Sequence, residues 1–188
     1  MGYNYAGTSG FVGYNARCAT LMIDYSLPRE TQFLGGRPMG EVEFLTNRPY
    51  PISCAIAVIG WGVVEREPEM HQVRLALTAL KLSKPRFAPS LEASEWAHVL
   101  QEEKCSLPVP GKTVHIIRDA LGRPWGEAVV LAEQSQLLVS RAYIRPITPD
   151  VVLVLSLSLG NDLSSEQRTE ALLIQRSVLE SIRYGPTH

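Results

Sequence analysis

The last third of the chain, residues 113–184, constrains the fold most, because strand-like runs there lead into one amphipathic helix. Residues 151–159 read VVLVLSLSL, with Val or Leu at every odd position. This alternation predicts a β-strand, whose other face begins apolar and ends with Ser156 and Ser158. We therefore expect a strand that is covered on both faces at its start and half exposed to solvent at its end.

A helix is predicted to follow this strand, from about Ser165 to Arg183. Ser164 and Gln167 have the spacing of a capping box, and Glu166 lies in the first turn, where the helix dipole favours negative charge. Apolar residues recur at the spacing of one helical face: Ala171, Leu172, Ile174, Val178, Leu179 and Ile182. This helix is expected to dock on a sheet.

Three shorter strands are predicted before the long one. They cover Thr113 to Arg118, Trp125 to Glu133 and Leu137 to Arg145. Turns at residues 121–124 and 133–136 connect them, and such short connections make antiparallel neighbours the default.

Two helices are predicted further upstream. Pro68 opens the first, Glu69 to Leu82, in which the residues at helical spacing are Met70, Val73, Leu77 and Leu80. The second covers about Leu91 to Lys104, with Ser90 as its N-cap. Its apolar stripe is formed by Leu91, Trp96, Val99 and Leu100.

The N-terminal segment, about residues 1–50, is rich in Gly and Pro and contains two predicted strands, Arg17 to Tyr25 and Glu41 to Thr46. A buried strand is predicted over Ile52 to Val64, with a bulge where two glycines flank Trp61. No linker divides the chain. The expectation is one α+β domain over residues 1–188, a mostly antiparallel sheet packed by two or three helices including the C-terminal one.

Composition excludes several kinds of partner. The 18 basic residues are scattered and balanced by 19 acidic ones, for a net charge of −1, so no nucleic-acid partner is expected. No apolar run approaches the ~20 residues of a transmembrane segment. The first residues lack a secretory signal, so the chain as written is expected in the cytoplasm, or in the periplasm if a signal or lipid anchor has been removed.

Residue spacing predicts neither cofactor nor metal. The three cysteines, Cys18, Cys54 and Cys105, lack CxxC spacing, and whether two of them form a bridge stays open. The histidines form no chelating pair, with His71 and His98 expected on helix surfaces. Pro110 to Thr113 resembles the end of a phosphate-binding loop, but Ser106 occupies the position where that loop needs a glycine.

Asp119 and Glu127 flank a turn and could approach each other across a hairpin as an acid/base pair. The simpler interpretation is that both are exposed carboxylates beside a turn. Since no serine-hydrolase elbow is present either, the chain is predicted not to be an enzyme.

Aromatic residues beside glycines suggest a protein-binding surface in the N-terminal half. Trp61, Tyr14 and Tyr5 are the predicted anchors, because Tyr and Trp bury large areas with little loss of rotamer freedom. Arg37 and Arg48 would add charge at the rim. The alternative is that these aromatic residues pack the N-terminal segment onto the sheet.

Several short motifs in the second half resemble the PsbP/DcrB-like α/β/α sandwich group. They are Trp96, the strings at 122–126 (GRPWG), 143–145 (YIR) and 151–159, and the ending at 178–184 (VLESIRY). That ending is similar to the one seen in group members that include bacterial type VI effector-associated chaperones and immunity proteins. The resemblance covers about Leu91 to Tyr184 and implies binding rather than bond chemistry.

The resulting hypothesis is a bacterial protein-binding domain that recognises a secreted effector, as an immunity protein or as an effector chaperone. One alternative is a periplasmic or envelope lipoprotein that binds a small ligand or aids assembly. Another is an enzyme with an unrecognised site. Fold likeness alone does not decide among them.

Overall fold

The computed structural model describes residues 11–18, 21–28, 37–38, 52–57, 61–64, 71–102 and 114–186. The strands within these ranges are β1 (Phe11–Cys18), β2 (Leu21–Pro28), β3 (Arg37–Pro38), β4 (Ile52–Ala57), β5 (Trp61–Val64), β6 (His71–Leu82), β7 (Val114–Arg118), β8 (Pro124–Leu131), β9 (Leu138–Thr148), β10 (Val151–Leu159) and β11 (Arg183–Pro186). The helices are α1 (Trp96–Glu102), preceded by a 3₁₀ turn (Ala93–Glu95), and α2 (Ser165–Ser181).

An antiparallel sheet in the order β3-β5-β6-β10-β9-β8-β7 dominates the described part of the chain. β4 pairs with the same edge of β6 as β5 does, so β4 and β5 lie end to end along it. A small second sheet has the order β1-β2-β11. The α+β prediction is confirmed, as are the three strands β7 to β9 and the turns between them.

The predicted helix over Glu69 to Leu82 is wrong, because residues 71–82 form the strand β6. β6 is covered on both faces: Val73, Leu75 and Leu77 pack toward α2, while Leu80 and Leu82 pack toward α1. A strand that is buried on both faces carries an almost continuous apolar run, in which helical spacing occurs by chance. Pairing with β10 in nine-residue register overrides the helix propensity of its Leu and Ala residues.

Two apolar clusters lie on opposite faces of the large sheet. On the face called here the α2 face, odd-numbered residues of β6 and β10 pack against α2 and against Ile23 and Tyr25 of β2. On the α1 face, Val152, Val154 and Ile144 pack against α1 and Phe87. Each helix therefore buries its apolar stripe on one side of a single sheet.

The prediction for β10 is confirmed for its bounds and is wrong at Ser156, which was expected to be half exposed. Ser156 is 5% exposed, and its hydroxyl donates a hydrogen bond of 3.4 Å to the carbonyl of Ala76 on β6. Ser158 is partly buried. The paired hydroxyl of Ser156 explains how a polar residue is accommodated between two central strands.

The C-terminal helix α2 begins as predicted. The Ser164 hydroxyl accepts from the Gln167 amide at 3.2 Å, and the Gln167 side chain accepts from the Ser164 amide at 2.9 Å. The helix ends at Ser181, two residues earlier than predicted, because Ile182 is extended and β11 then pairs with β2. The sequence analysis did not predict β11.

Two boundary predictions are also wrong. Ser90 is not the N-cap of the second helix, since the Leu91 amide donates to the Ala88 carbonyl in a turn and Glu92 is the cap of the 3₁₀ turn. The single strand predicted over residues 17–25 spans two strands of a hairpin, in which Cys18 pairs with Leu21. The strand predicted over 41–46 lies outside the described residues.

Candidate functional site

Asp119 is the centre of a buried polar cluster at the β7–β8 turn, which corrects the expectation of an exposed carboxylate. Its side chain is 1% exposed. One oxygen accepts from the amides of Leu121 and Arg123, each at 2.9 Å. The other accepts from Arg123 Nε at 2.5 Å and from Trp125 Nε1 at 3.0 Å. All acceptor directions of the carboxylate are therefore occupied by this chain.

The pKa of Asp119 reflects these contacts. Burial alone would raise it, but the hydrogen bonds from Trp125 and Arg123 and the positive charge of Arg123 outweigh burial and lower the pKa of this carboxyl below its ordinary value. Asp119 is thus held as the anion. An anion with four donors is suited to holding the turn together rather than to accepting a proton from a substrate.

Arg123 and Arg145 connect the turn to β11. Arg123 donates to the carbonyl of Ile182 at 2.8 Å, and its guanidinium lies 4.9 Å from the ring centre of Tyr184. Arg145 donates to the Tyr184 hydroxyl at 2.5 Å and to the Pro124 carbonyl at 2.6 Å. The two arginines thereby attach the end of the chain to the β7–β8 hairpin.

A second polar group fastens α2 to β9. Arg141 donates to the Gln175 side chain at 2.7 Å and to the Leu172 carbonyl at 3.1 Å. Gln175, fully buried, donates to the carbonyls of Arg141 and Leu155. Glu127 lies 3.8 Å from the Arg141 guanidinium, so Glu127 and Asp119 have different partners and form no acid/base pair.

Tyr143 packs beside this group, with the Arg141 guanidinium 5.0 Å from its ring centre. Burial raises the pKa of Tyr143 to about 12. The phenol is therefore protonated at neutral pH and is not poised for proton transfer.

Among the described residues, no group of three or more His, Cys, Asp or Glu side chains could hold a metal ion. His98 lies exposed on α1 beside Glu102, at 3.2 Å, as expected of a helix-surface residue. His115 is exposed on β7. His71 was expected on a helix and lies on the strand β6 instead.

Exposed apolar residues mark a different region of the surface. Of the six large hydrophobic residues that are exposed in the described part of the chain, five lie between residues 116 and 137; they are Ile116, Leu121, Val130, Leu131 and Leu137. The sixth, Leu173, stands alone on α2. Three of the five, Val130, Leu131 and Leu137, flank the β8–β9 turn, and we call these three the apolar end of the sheet. Ile116 lies within β7, and Leu121 lies in the β7–β8 turn at the other end of β8. Exposed apolar residues that are grouped in this way are typical of interaction surfaces, whereas single ones are common.

Among the described residues, β7 is the last strand of the large sheet, on the side of β8 away from β9. Its strand partner among the described residues is β8, with Ile116 opposite Gly126 and Ile117 opposite Trp125. Glycine has no side chain to cover Ile116 from that strand, and Ile116 is 54% exposed. Edge strands offer unpaired backbone groups to another chain.

The predicted anchors are only partly brought together. β3 and β5 pair, which sets Arg37 opposite Gly62 and beside Trp61 at the opposite edge of the large sheet from β7. Tyr14 lies in the small sheet, opposite Tyr25. Tyr5 and Arg48 lie outside the described residues. The binding role of all five stays a prediction.

The apolar end was missed by the sequence analysis. Val130 and Leu131 belong to a strand that was assigned correctly, and their spacing gives no sign of which face is covered. The available signal was the pair Leu131 and Leu137 at either side of the turn at residues 133–136. Apolar residues at turns are unusual, since turns favour Gly, Pro, Asn, Asp and Ser.

Comparison with protein-family models, with curated proteins and with solved structures gave no match to this chain. In the part of the chain that the structure describes, no helix is long and apolar enough to cross a membrane.

Proposed function

We propose that this chain is a non-enzymatic protein-binding domain that contacts its partner through the apolar end of the sheet. The observation that carries the proposal is the grouping of three exposed large hydrophobic residues, Val130, Leu131 and Leu137, around the β8–β9 turn. Burying such residues against a partner gains about 25 cal/mol for each Å² of apolar surface removed from water.

The polar clusters support a binding role over catalysis. Asp119, Arg123, Arg141, Arg145 and Gln175 each use their side chains to hold backbone or neighbouring groups of the same chain. Groups engaged in this way are not free to act on a substrate. Arg141 and Gln175 fasten β9, which follows the β8–β9 turn, to α2 and to β10, and holding a binding surface in place lowers the entropy cost of binding.

The resemblance to the PsbP/DcrB-like group favours a secreted bacterial effector as the partner, with this chain acting as an immunity protein or effector chaperone. The proposal predicts that co-expression with such an effector yields a stable complex, and that an effector toxin is neutralised. Proteins encoded beside this chain's gene are the first candidates to co-express.

The test is co-purification of the chain with the candidate partner, followed by affinity measurement for matched variants. Leu131→Ser and Leu137→Ser at the apolar end should each weaken binding by about tenfold or more, equivalent to ~1.4 kcal/mol. Leu173→Ser is the control, since Leu173 is equally exposed but lies alone on α2.

Trp61→Ala distinguishes the two surfaces. Loss of binding in Trp61→Ala together with full binding by Leu131→Ser and Leu137→Ser would place the interface at the β3–β5 edge and contradict the proposal. Each variant is first shown to be folded by its thermal melt.

A further inference from the structure

We infer that the partner supplies an extended segment that pairs with the outer edge of β7 as an additional strand of the large sheet, with an apolar residue opposite Ile116 and an acidic residue beside Arg118. This inference rests on the proposed function and adds to it the mode of binding and the chemistry of the bound segment.

On the side of β7 away from β8, no other described strand pairs with its backbone. The Asp119 amide donates to the Arg123 carbonyl at 3.1 Å, and hydrogen-bonded pairs alternate along an antiparallel ladder. The pairs Ile117–Trp125 and His115–Glu127 are therefore the hydrogen-bonded ones. The amide and carbonyl of Ile116 then point away from β8, toward the side on which the described residues provide no strand.

Pro124 agrees with this assignment. It is paired with Arg118, a position at which β8 needs no amide donor toward β7, and its carbonyl accepts from Arg145 of β9. A proline at a hydrogen-bonded position would have removed a bond of the ladder.

The side chains along this edge define what can be added. Ile116 is 54% exposed opposite Gly126, so an apolar side chain on the incoming strand can cover it. Arg118 is exposed, and its guanidinium donates to the neutral carbonyl of Gly122. The nearby carboxylates of Asp119 and Glu180 are engaged by Arg123 and Arg176. An acidic residue opposite Arg118 on the incoming strand complements the charge of this guanidinium.

Arg176 sets where the added ladder ends. Its Nη2 donates to the Arg118 carbonyl at 2.7 Å, and Glu180, which holds Arg176 at 2.5 Å, also accepts from the Ala120 amide. The Arg118 carbonyl is therefore occupied by α2, whereas no residue in the described ranges pairs with the outward backbone groups of Ile116. An incoming strand can form two hydrogen bonds with Ile116, one to its amide and one to its carbonyl, but at most one with Arg118, whose carbonyl is taken. This difference favours the register that sets a residue of the incoming strand opposite Ile116.

If the incoming strand is antiparallel to β7, its residue opposite Arg118 is two positions N-terminal to its residue opposite Ile116. The probe is an acetylated, amidated peptide of sequence Thr-Glu-Val-Ile-Val-Thr carrying a fluorophore, titrated with the full chain. Replacing its Glu by Lys should weaken binding about tenfold, as should N-methylation of its Ile. A peptide that does not bind the parent chain saturably overturns the inference.

Ile116→Pro is the sharpest variant, because it removes an amide that faces away from β8 and leaves the β7–β8 ladder intact. It should stay folded and bind the Glu peptide at least about tenfold more weakly than the parent. Ile116→Thr keeps the amide and is the matched control, with only part of the loss expected. Undiminished binding of the Glu peptide by folded Ile116→Pro overturns strand addition.

Two further results separate the alternatives. If Ile116→Pro binds the partner protein normally while Leu131→Ser does not, strand addition is wrong and the proposed interface stands. Sedimentation that shows a dimer abolished by Ile116→Pro would make a second copy the occupant and overturn the assignment to a partner. Self-pairing centred on Ile116 would put Val114 rather than an acid beside Arg118, which is why we assign the edge to a different chain.

Discussion

Removal of the Asp119 carboxylate is expected to be among the most destabilising changes outside the apolar core. Asp119→Ala leaves the Trp125 indole N–H without an acceptor in a site where Trp125 is fully buried, and it leaves Arg123 without its carboxylate. A buried unsatisfied donor costs about 1–3 kcal/mol, and breaking a buried ion pair on one side costs about 3–5 kcal/mol. These terms overlap, so the expected loss is about 3–5 kcal/mol.

The assays are urea unfolding and thermal melting of parent and variant, each followed by circular dichroism and by tryptophan fluorescence. For a chain of this size, 1 kcal/mol moves the melting temperature by about 2–4 °C, so a decrease of about 6–20 °C is expected. Asp162→Ala is the matched control, because Asp162 is exposed, and it should change stability by less than about 0.5 kcal/mol. A loss below about 1 kcal/mol for Asp119→Ala would refute the central role assigned to this carboxylate.

Three further predictions concern the same parts of the fold. The pKa of Asp119 is lowered in the folded protein, so the ionised carboxylate stabilises the fold above the unfolded-state pKa of about 3.9, and this stabilisation is lost as the pH falls through the folded-state pKa. Asp119→Asn should therefore show a smaller decrease in melting temperature than the parent between about pH 5 and pH 2. Parallel curves of melting temperature against pH for the two proteins would contradict this. Ile182→Asp puts a charge at a fully buried position and should unfold the domain or cost more than about 4 kcal/mol, whereas Leu173→Asp on the exposed side of α2 should be tolerated, as thermal melts would show. Ser164→Ala removes the α2 cap and should cost about 1 kcal/mol in denaturant unfolding, and no change in the midpoint would argue against the cap.

Local signals were sufficient to predict β7 to β10 and the start of α2. The capping residues Ser164 and Gln167 located the start of α2, and the alternation over 151–159 located β10. The cap is formed by contacts between residues close in sequence, and the alternation separates the two faces of a single strand. Such contacts are visible in the sequence itself.

Long-range pairing explains the main errors. β6 was predicted as a helix because a strand covered on both faces has no alternation, and its partner β10 begins about seventy residues later in the chain. β11 was missed because its four residues become a strand only by pairing with β2. Neither partner can be identified from spacing within the segment.

The site was less predictable than the fold. Asp119 was assigned to the surface because carboxylates beside turns are usually exposed, but Arg123 of the turn and Trp125 of the following strand contact it and bury it. The exposure of Ile116 depends on Gly126 lying opposite, and therefore on the register of β7 against β8. Register is a property of the folded sheet.

The most direct test of the proposed interface is amide hydrogen exchange of the full chain with and without its purified partner protein. The account predicts that binding slows exchange of the Ile116 amide and its β7 neighbours, whose outward groups would become hydrogen-bonded, while exchange on the exposed side of α2 around Leu173 is unchanged. Slowed exchange confined to residues 61–64, with β7 unaffected in the complex, would contradict it.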